Sequence, residues 1–249
     1  MAVSFPKQFL AAALVMSSGA CFADEIKVAA ASNFRNALSV LANRYQQDSG
    51  HTVVLIFGST GKHYAQIIHG APFDAFFAAD TERPARLENN GMAVPGSRFT
   101  YARGQLVLFR PGRHGSRLGE TFLQYRQFRH LAIANPELAP YGRAAKEVLE
   151  SLALWATRGP QLVRGENIGQ AYQFVVSGNA EAGFVARAQL PGEQELSPGN
   201  HWMVPPAMHQ PIDQQAVLLK DTPAARDFML YVRSDEAITV ILDHGYLKP

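Results

Sequence analysis

Two junctions of one kind lie early in this chain and constrain its fold more than any other feature. Residues 26–31 form an apolar run of strand length that ends at Ser32 and Asn33, and Phe34, Ala37, Leu38, Leu41 and Tyr45 follow at helical spacing. Residues 53–57 form a second apolar run, ending in Gly58-Ser-Thr-Gly-Lys-His63, with Tyr64, Ile67 and Ile68 on one helical face beyond it. Ser and Asn are favoured helix N-caps, so each junction predicts a strand running into a helix. A helix N-terminus at the carboxyl end of a strand presents unpaired backbone N–H groups and the positive end of the helix dipole, and small residues let an anion come close. One such junction is an ordinary βα turn. Two in one half of a chain make a cradle of N–H and hydroxyl donors a reading to be weighed.

The second junction is no nucleotide loop. A phosphate loop needs two more residues between its glycines and Ser or Thr after the Lys, and here His63 follows Lys62. Residues 72–80 predict a third strand with Asp80 or Thr81 capping a short helix; Asp74 reads as a partner for backbone donors rather than half of a catalytic carboxylate pair. Around residues 101–105 the chain passes from loop into the strand 106–109, which no helix precedes, so this is the candidate first crossover into another lobe. Beyond it, strands at 131–134, 161–163 and 182–185 alternate with helices beginning near Pro140-Tyr-Gly142 and Gly165-Glu-Asn-Ile168. An isolated Tyr141 is most simply a core aromatic. Residues 200–211, rich in Pro and His, read as the return crossover, followed by a strand at 216–219, a helix opened by Thr222-Pro223 and a last helix capped by Ser234. The alternation argues an α/β fold with a mostly parallel sheet.

Residues 1–23 have the pattern of a cleavable signal peptide: Lys7, a short apolar core, then small residues before a cut after Ala23. That core is too short to span a bilayer, which needs about 20 apolar residues. The expected product is exported and soluble. Ser18-Gly-Ala-Cys21 loosely resembles a lipoprotein signal, but Ser18 stands where Leu is usual, so lipid anchoring at Cys21 is the lesser reading. Cys21 is the only cysteine, so a chain cut after Ala23 has no disulfide and no Cys-based metal or redox chemistry. A net charge of +2, with no run of Lys or Arg, is no nucleic-acid footprint. His63 with His69, and His201 with His209, are wrongly spaced for metal and read as solvated surface; Gly-x-Ser-x-Gly and Gly-x-Gly-x-x-Gly are absent. Catalysis has no positive support.

With these junctions placed, the chain resembles the periplasmic molybdate-binding proteins, capture subunits of ABC importers. The resemblance covers nearly all of residues 24–249 and is carried by Ala29-Ala-Ala-Ser-Asn33, Phe57-Gly-Ser-Thr-Gly-Lys62, Gly70-Ala-Pro-Phe-Asp-Ala-Phe-Phe-Ala-Ala-Asp80, Tyr141-Gly142 and Gly245-Tyr246. It implies an α/β, two-lobe periplasmic-binding-protein-like fold (type II) with a ligand cleft between lobes joined by two crossover segments. The expected lobes are residues 24–103 with 207–249, and residues 104–206. Family ligand positions fall on Ser32, Asn33, Thr60 beside Ser59, Tyr141, and Ile168 through its backbone. Thr60 stands where Ser is usual and keeps the hydroxyl. Many members also reach the anion with a Tyr from the strand near Gly183; here that position is Ala186, which the branch with Asn after the first Ser and an aromatic at the Tyr141 position tolerates. The implied ligand is molybdate or tungstate, bound as an oxyanion with no protein atom on the metal and no further cofactor. The implied partner is a membrane permease, and a monomer is expected. The rival readings are a receptor of the same fold for sulfate or a phosphorus acid, and an exported enzyme.

Overall fold

The first junction folds as β1 (Glu25–Ala31), a 3-10 turn at Ser32–Phe34, and α1 (Arg35–Ser49). The computed structural model describes residues 1, 23–112, 117–192, 197 and 199–249; residues 2–22 of the signal-peptide segment, Cys21 among them, lie outside these. α1 buries Ala37, Leu38, Leu41, Ala42 and Tyr45 and stops at Gly50, whose left-handed φ of 75° suits glycine. β2 (Thr52–Gly58) leads through Ser59 into α2 (Thr60–Ile68), and β3 (Ala75–Phe77) into α3 (Glu82–Asn89). β4 (Phe99–Gly104) and β5 (Leu106–Phe109) follow almost without a break, then α4 (Glu120–Tyr125), β6 (Leu131–Ala134), α5 (Pro140–Ser151) and α6 (Trp155–Arg158). β7 (Leu162–Gly165), α7 (Ile168–Val176), β8 (Ala182–Ala186) and β9 (His201–Met203) complete the second half. β10 (Ile212–Leu218), α8 (Pro223–Tyr231) and α9 (Asp235–Asp243) close the chain.

Two five-stranded sheets result, with orders β2-β1-β3-β10-β4 and β7-β6-β8-β5-β9. Each has a parallel block, β2-β1-β3 or β7-β6-β8, and an antiparallel pair at its side. The antiparallel strands flank the places where the chain changes sheets, which makes the sheets less parallel than helix–strand alternation alone predicts. The exchange falls at Gln105, between β4 and β5, and reverses between β9 and β10. Two predicted loops are strands instead. Residues 99–104 pair antiparallel with β10 and bury Tyr101 and Ala102; residues 201–203 pair with β5. Their local sequence is turn-like, and the partner strand's ladder overrides it.

Both faces of each sheet are covered. Phe34, Leu38, Leu41, Phe77 and Phe228 pack between the first sheet and α1, α8 and α9, while Ile67, Phe76 and Leu87 fill its other face. In the second lobe, Leu106, Leu108, Ile133, Leu149 and Phe184 form the larger core. In both sheets the middle strand of the parallel block, β1 or β6, has later strands on either side of it, so chain direction around the sheet reverses there. The crevice outside such strand ends is where open α/β sheets bind ligands.

Candidate functional site

The two crevices face each other. Ser32 and Asn33 follow β1 and Ser59 and Thr60 follow β2; Tyr141 lies in the first turn of α5 after β6, and Ile168 opens α7 after β7. One narrow cavity of about 10 Å³ is lined by all six, together with Ala31, Gly58, Ala79, Ala139, Pro140 and Asn167. No lining residue is charged. A larger cavity of about 720 Å³ shares Ser32, Asn33 and Asn167 with it and spreads outward past Arg35, Phe57 and Gln173. Its size makes it the mouth of the cleft, and the six expected ligand positions meet at the small cavity, which is therefore the candidate site.

The donors follow from how each helix starts. The first N–H groups of a helix have no partner inside it. In α2, Lys62 N–H is taken by the Ser59 Oγ cap (3.2 Å) and Gly61 N–H by the Leu138 carbonyl of the opposite lobe (2.8 Å). That leaves Thr60 N–H without a partner among the described residues. In α5, Pro140 has no N–H and Gly142 bonds the Ala139 carbonyl, which leaves Tyr141 N–H. In α7, Asn167 Oδ1 caps Gln170 N–H at 3.0 Å and Gly169 N–H donates to Ser32 Oγ at 3.1 Å, which leaves Ile168 N–H. Hydroxyls add to these. Thr60 Oγ1 accepts from Ala79 N–H (3.0 Å), Ser59 Oγ from Lys62 and Ser32 Oγ from Gly169, so each keeps its own proton to donate.

Three expectations need correction. Ser32 and Asn33 do not cap α1 with their side chains: the chain tightens into the 3-10 turn, and the side chains turn to other partners. The Asn33 amide donates to Gln214 Oε1 (2.8 Å) and to the Tyr246 hydroxyl (2.9 Å), so both of its hydrogens are spent in the protein. The Tyr141 ring is buried, as a core aromatic would be, but its hydroxyl accepts from Gln214 Nε2 across the cleft at 3.1 Å. His63 is not solvated surface. It is 2% exposed, with Nδ1 against Gln66 Oε1 (3.1 Å) and its ring packed on Phe73 and Phe76. Burial lowers its pKa, partly offset by Gln66, and Nε2 has no hydrogen-bond partner among the described residues. It lies beneath Gly58 and does not line the cavity. The predicted face of α2 shifts accordingly, with His63 inside and Ile68 exposed.

Other expectations hold. Asp80 accepts from Arg83 N–H in the first turn of α3 and pairs with the Arg83 guanidinium, and Asp74 accepts from Lys27 N–H at 2.7 Å. Both carboxylates are structural. Ala186 is buried in β8, outside the cavity, where its N–H meets Gln189 Oε1. Sequence reasoning missed Gln214, Tyr101 and Asn167. The pair Gln214-Gln215 directly before the apolar run 216–219 was the available signal for the first, and Gly-Glu-Asn before a helix for the last.

Further bonds hold the lobes together around the site. Lys62 pairs with Glu166 at 3.0 Å, Asn36 Nδ2 donates to the Ala188 carbonyl at 3.1 Å and Arg83 to the Glu137 carbonyl at 3.2 Å. The exposed Lys62–Glu166 pair contributes little, about 0–1 kcal/mol. The contact rests more on the backbone bond from Gly61 and on Gly169, whose missing Cβ leaves room for Ser32.

The family of bacterial extracellular solute-binding proteins matches residues 26–247. The chain is 44% identical to the molybdate-binding protein ModA of Azotobacter vinelandii, over 98% of this chain and 99% of the relative. It is 41% identical to the protein of that name from Rhodobacter capsulatus, over 90% and 89%. The solved periplasmic molybdate-binding protein of Azotobacter vinelandii superposes with a TM-score of 0.85 at 41% identity, covering 90% of this chain and 99% of that one. The chain belongs to the bacterial extracellular solute-binding protein family.

Proposed function

We propose that this protein captures molybdate, and tungstate with it, for an ABC importer, holding the oxyanion between two lobes with neutral hydrogen-bond donors. The observation that carries this is the uncharged cavity lined by Ser32, Ser59, Thr60, Tyr141 and Ile168, beside which three hydroxyls and three helix-start N–H groups are left to donate. A fully ionised tetrahedral anion is all acceptor, and such a site is all donor. Charge-assisted hydrogen bonds contribute about 1.5–3 kcal/mol each, so six or seven suffice to offset desolvation and leave about −8 kcal/mol or better, micromolar or tighter. Asn33 contributes through its backbone, its amide being committed elsewhere, and Tyr141 through its N–H.

Lobe 1 is assigned to residues 24–103 with 207–249 and lobe 2 to residues 104–206, with hinge motion at the two crossovers. The signal-peptide pattern supports export to the periplasm as a monomer that delivers its cargo to a membrane permease. The protein needs no cofactor and performs no reaction; its relatives bear the names of binding proteins. A thermal-shift panel of molybdate, tungstate, sulfate, phosphate and citrate tests the reading, because ligand bound only by the folded state raises stability by mass action. Molybdate and tungstate should raise the melting temperature, and the others should not. A shift with sulfate or phosphate alone would instead favour the rival oxyanion receptor.

A further inference from the structure

We propose that Gln214 is a positioning residue for the oxyanion: a buried amide spacer that sets the separation of the two halves of the site and so its preference for the larger anion. This rests on the oxyanion-receptor reading. Gln214 does not line the cavity. It is fully buried on β10, where the register against β4 shifts between Gln214 and Gln215. The extra residue is Tyr101 of β4, and a bulge of this kind re-aims its side chain, here toward Gln214. Gln214 Oε1 accepts from Asn33 Nδ2 (2.8 Å) on one lobe and from the Tyr101 hydroxyl (3.0 Å), and its Nε2 donates to the Tyr141 hydroxyl (3.1 Å) on the other. The Asn33 and Tyr141 ends of the site are therefore tied to the two ends of one planar amide.

The polarity of the spacer is set by its neighbours. Asn33 Nδ2 donates into the oxygen end, with the Tyr101 hydroxyl shared between that oxygen and the Ala78 carbonyl (3.1 Å), so the amide hydrogens face Tyr141. Tyr246 locks Asn33 in turn, accepting from its amide and donating to its carbonyl at 2.9 Å. Gly104 lines the same spot: a Cβ there would overlap the Tyr141 hydroxyl and lie 2.6 Å from Gln214 Nε2, so the approach is as close as a glycine allows. Burial pushes the Tyr101, Tyr141 and Tyr246 phenols upward, which keeps the whole network neutral. A stiff, uncharged spacer beside the site resists tighter closure. A smaller tetrahedral anion, whose oxygens lie nearer its centre, then cannot reach donors on both lobes at once.

The test is calorimetric titration of the wild type, Gln214→Met and Tyr141→Phe with molybdate and with sulfate, alongside thermal unfolding without ligand. Met keeps the length of Gln and removes its hydrogen-bonding groups; Phe removes only the acceptor on the opposite lobe. The expected result is at least a tenfold narrowing of the molybdate-over-sulfate affinity ratio in Gln214→Met and a threefold or greater narrowing in Tyr141→Phe. A purely structural role would lower the melting temperature and leave the ratio alone. A ratio within twofold of wild type in both variants overturns the proposal; if Gln214→Met does not fold, Tyr141→Phe decides by the same criterion. A wild type that binds neither anion overturns the receptor reading and this proposal with it, whereas a wild type that binds, with unchanged ratios in the variants, overturns the proposal alone.

Discussion

The Gly61 amide, in the first turn of α2, donates to the Leu138 carbonyl just before α5 at 2.8 Å, a backbone hydrogen bond from one lobe to the other. It places the N-terminal turns of two helices side by side, and with them the Thr60 and Tyr141 N–H groups. Only glycine fits: a Cβ at position 61 would stand 2.9 Å from the Leu138 oxygen and 3.1 Å from its Cα, both backbone atoms. With the lobes apart the same change meets no such clash, and in a helix Ala is favoured over Gly rather than disfavoured. Gly61→Ala should therefore leave unliganded stability equal or slightly raised while weakening anion binding tenfold or more. Thermal unfolding and calorimetric titration of the same variant report the two effects separately. Unchanged affinity would mean that closure does not use this contact.

Thr60→Val tests the other side of the same turn. The hydroxyl accepts from Ala79 N–H and has its proton left for the anion. Valine keeps the shape and removes both functions. Binding should weaken by about 1.5–3 kcal/mol, the worth of one charge-assisted donor. Stability without ligand should also fall, by about 1–3 kcal/mol, because Ala79 N–H is left buried without its acceptor. A variant that loses stability but not affinity would remove Thr60 from the site and leave it an anchor for β3.

His63 gives the fold a pH dependence that the site itself should lack. Its folded-state pKa is depressed by burial, so the unfolded chain takes up a proton first. The stability present above the unfolded value, about pH 6.5, is then lost as pH falls below it, and the loss is complete beneath the depressed folded value. His63→Met should flatten the acid side of the stability profile of the unliganded protein, measured by denaturant unfolding from pH 4.5 to 7.5. An equally steep profile in the variant would place the acid sensitivity elsewhere.

Much of this was legible in the sequence because local and tertiary signals agree in the parallel blocks. Strand, small and hydroxyl residues, then helix is a pattern of local propensity, and the sheets place those strand ends at the crevices, so Ser32, Ser59, Thr60, Tyr141 and Ile168 come together. What could not be read is what tertiary pairing decides. Residues 99–104 and 201–203 are strands only because β10 and β5 lie beside them. Asn33 was legible as a polar residue at the right place, yet its amide is claimed by Gln214 and Tyr246, far along the chain. His63 follows a lysine in a polar stretch, so its burial under Gly58 depends on Phe73 and Phe76 meeting it from another strand and loop.

The central claim is that a cleft of neutral donors holds a fully ionised oxyanion. Within about pH 6–9 none of the lining groups should titrate, and molybdate, tungstate and sulfate are full dianions across that range. Phosphate still carries a proton there, and a donor-only cleft would bury it unpaired at a cost of about 1–3 kcal/mol. The most direct measurement is a calorimetric titration with molybdate at several pH values across this range, with phosphate and sulfate in parallel. Micromolar or tighter molybdate binding, nearly constant with pH and with phosphate and sulfate excluded, is the predicted result. An absence of molybdate binding, or a steep loss of affinity between pH 6 and 8, would contradict it.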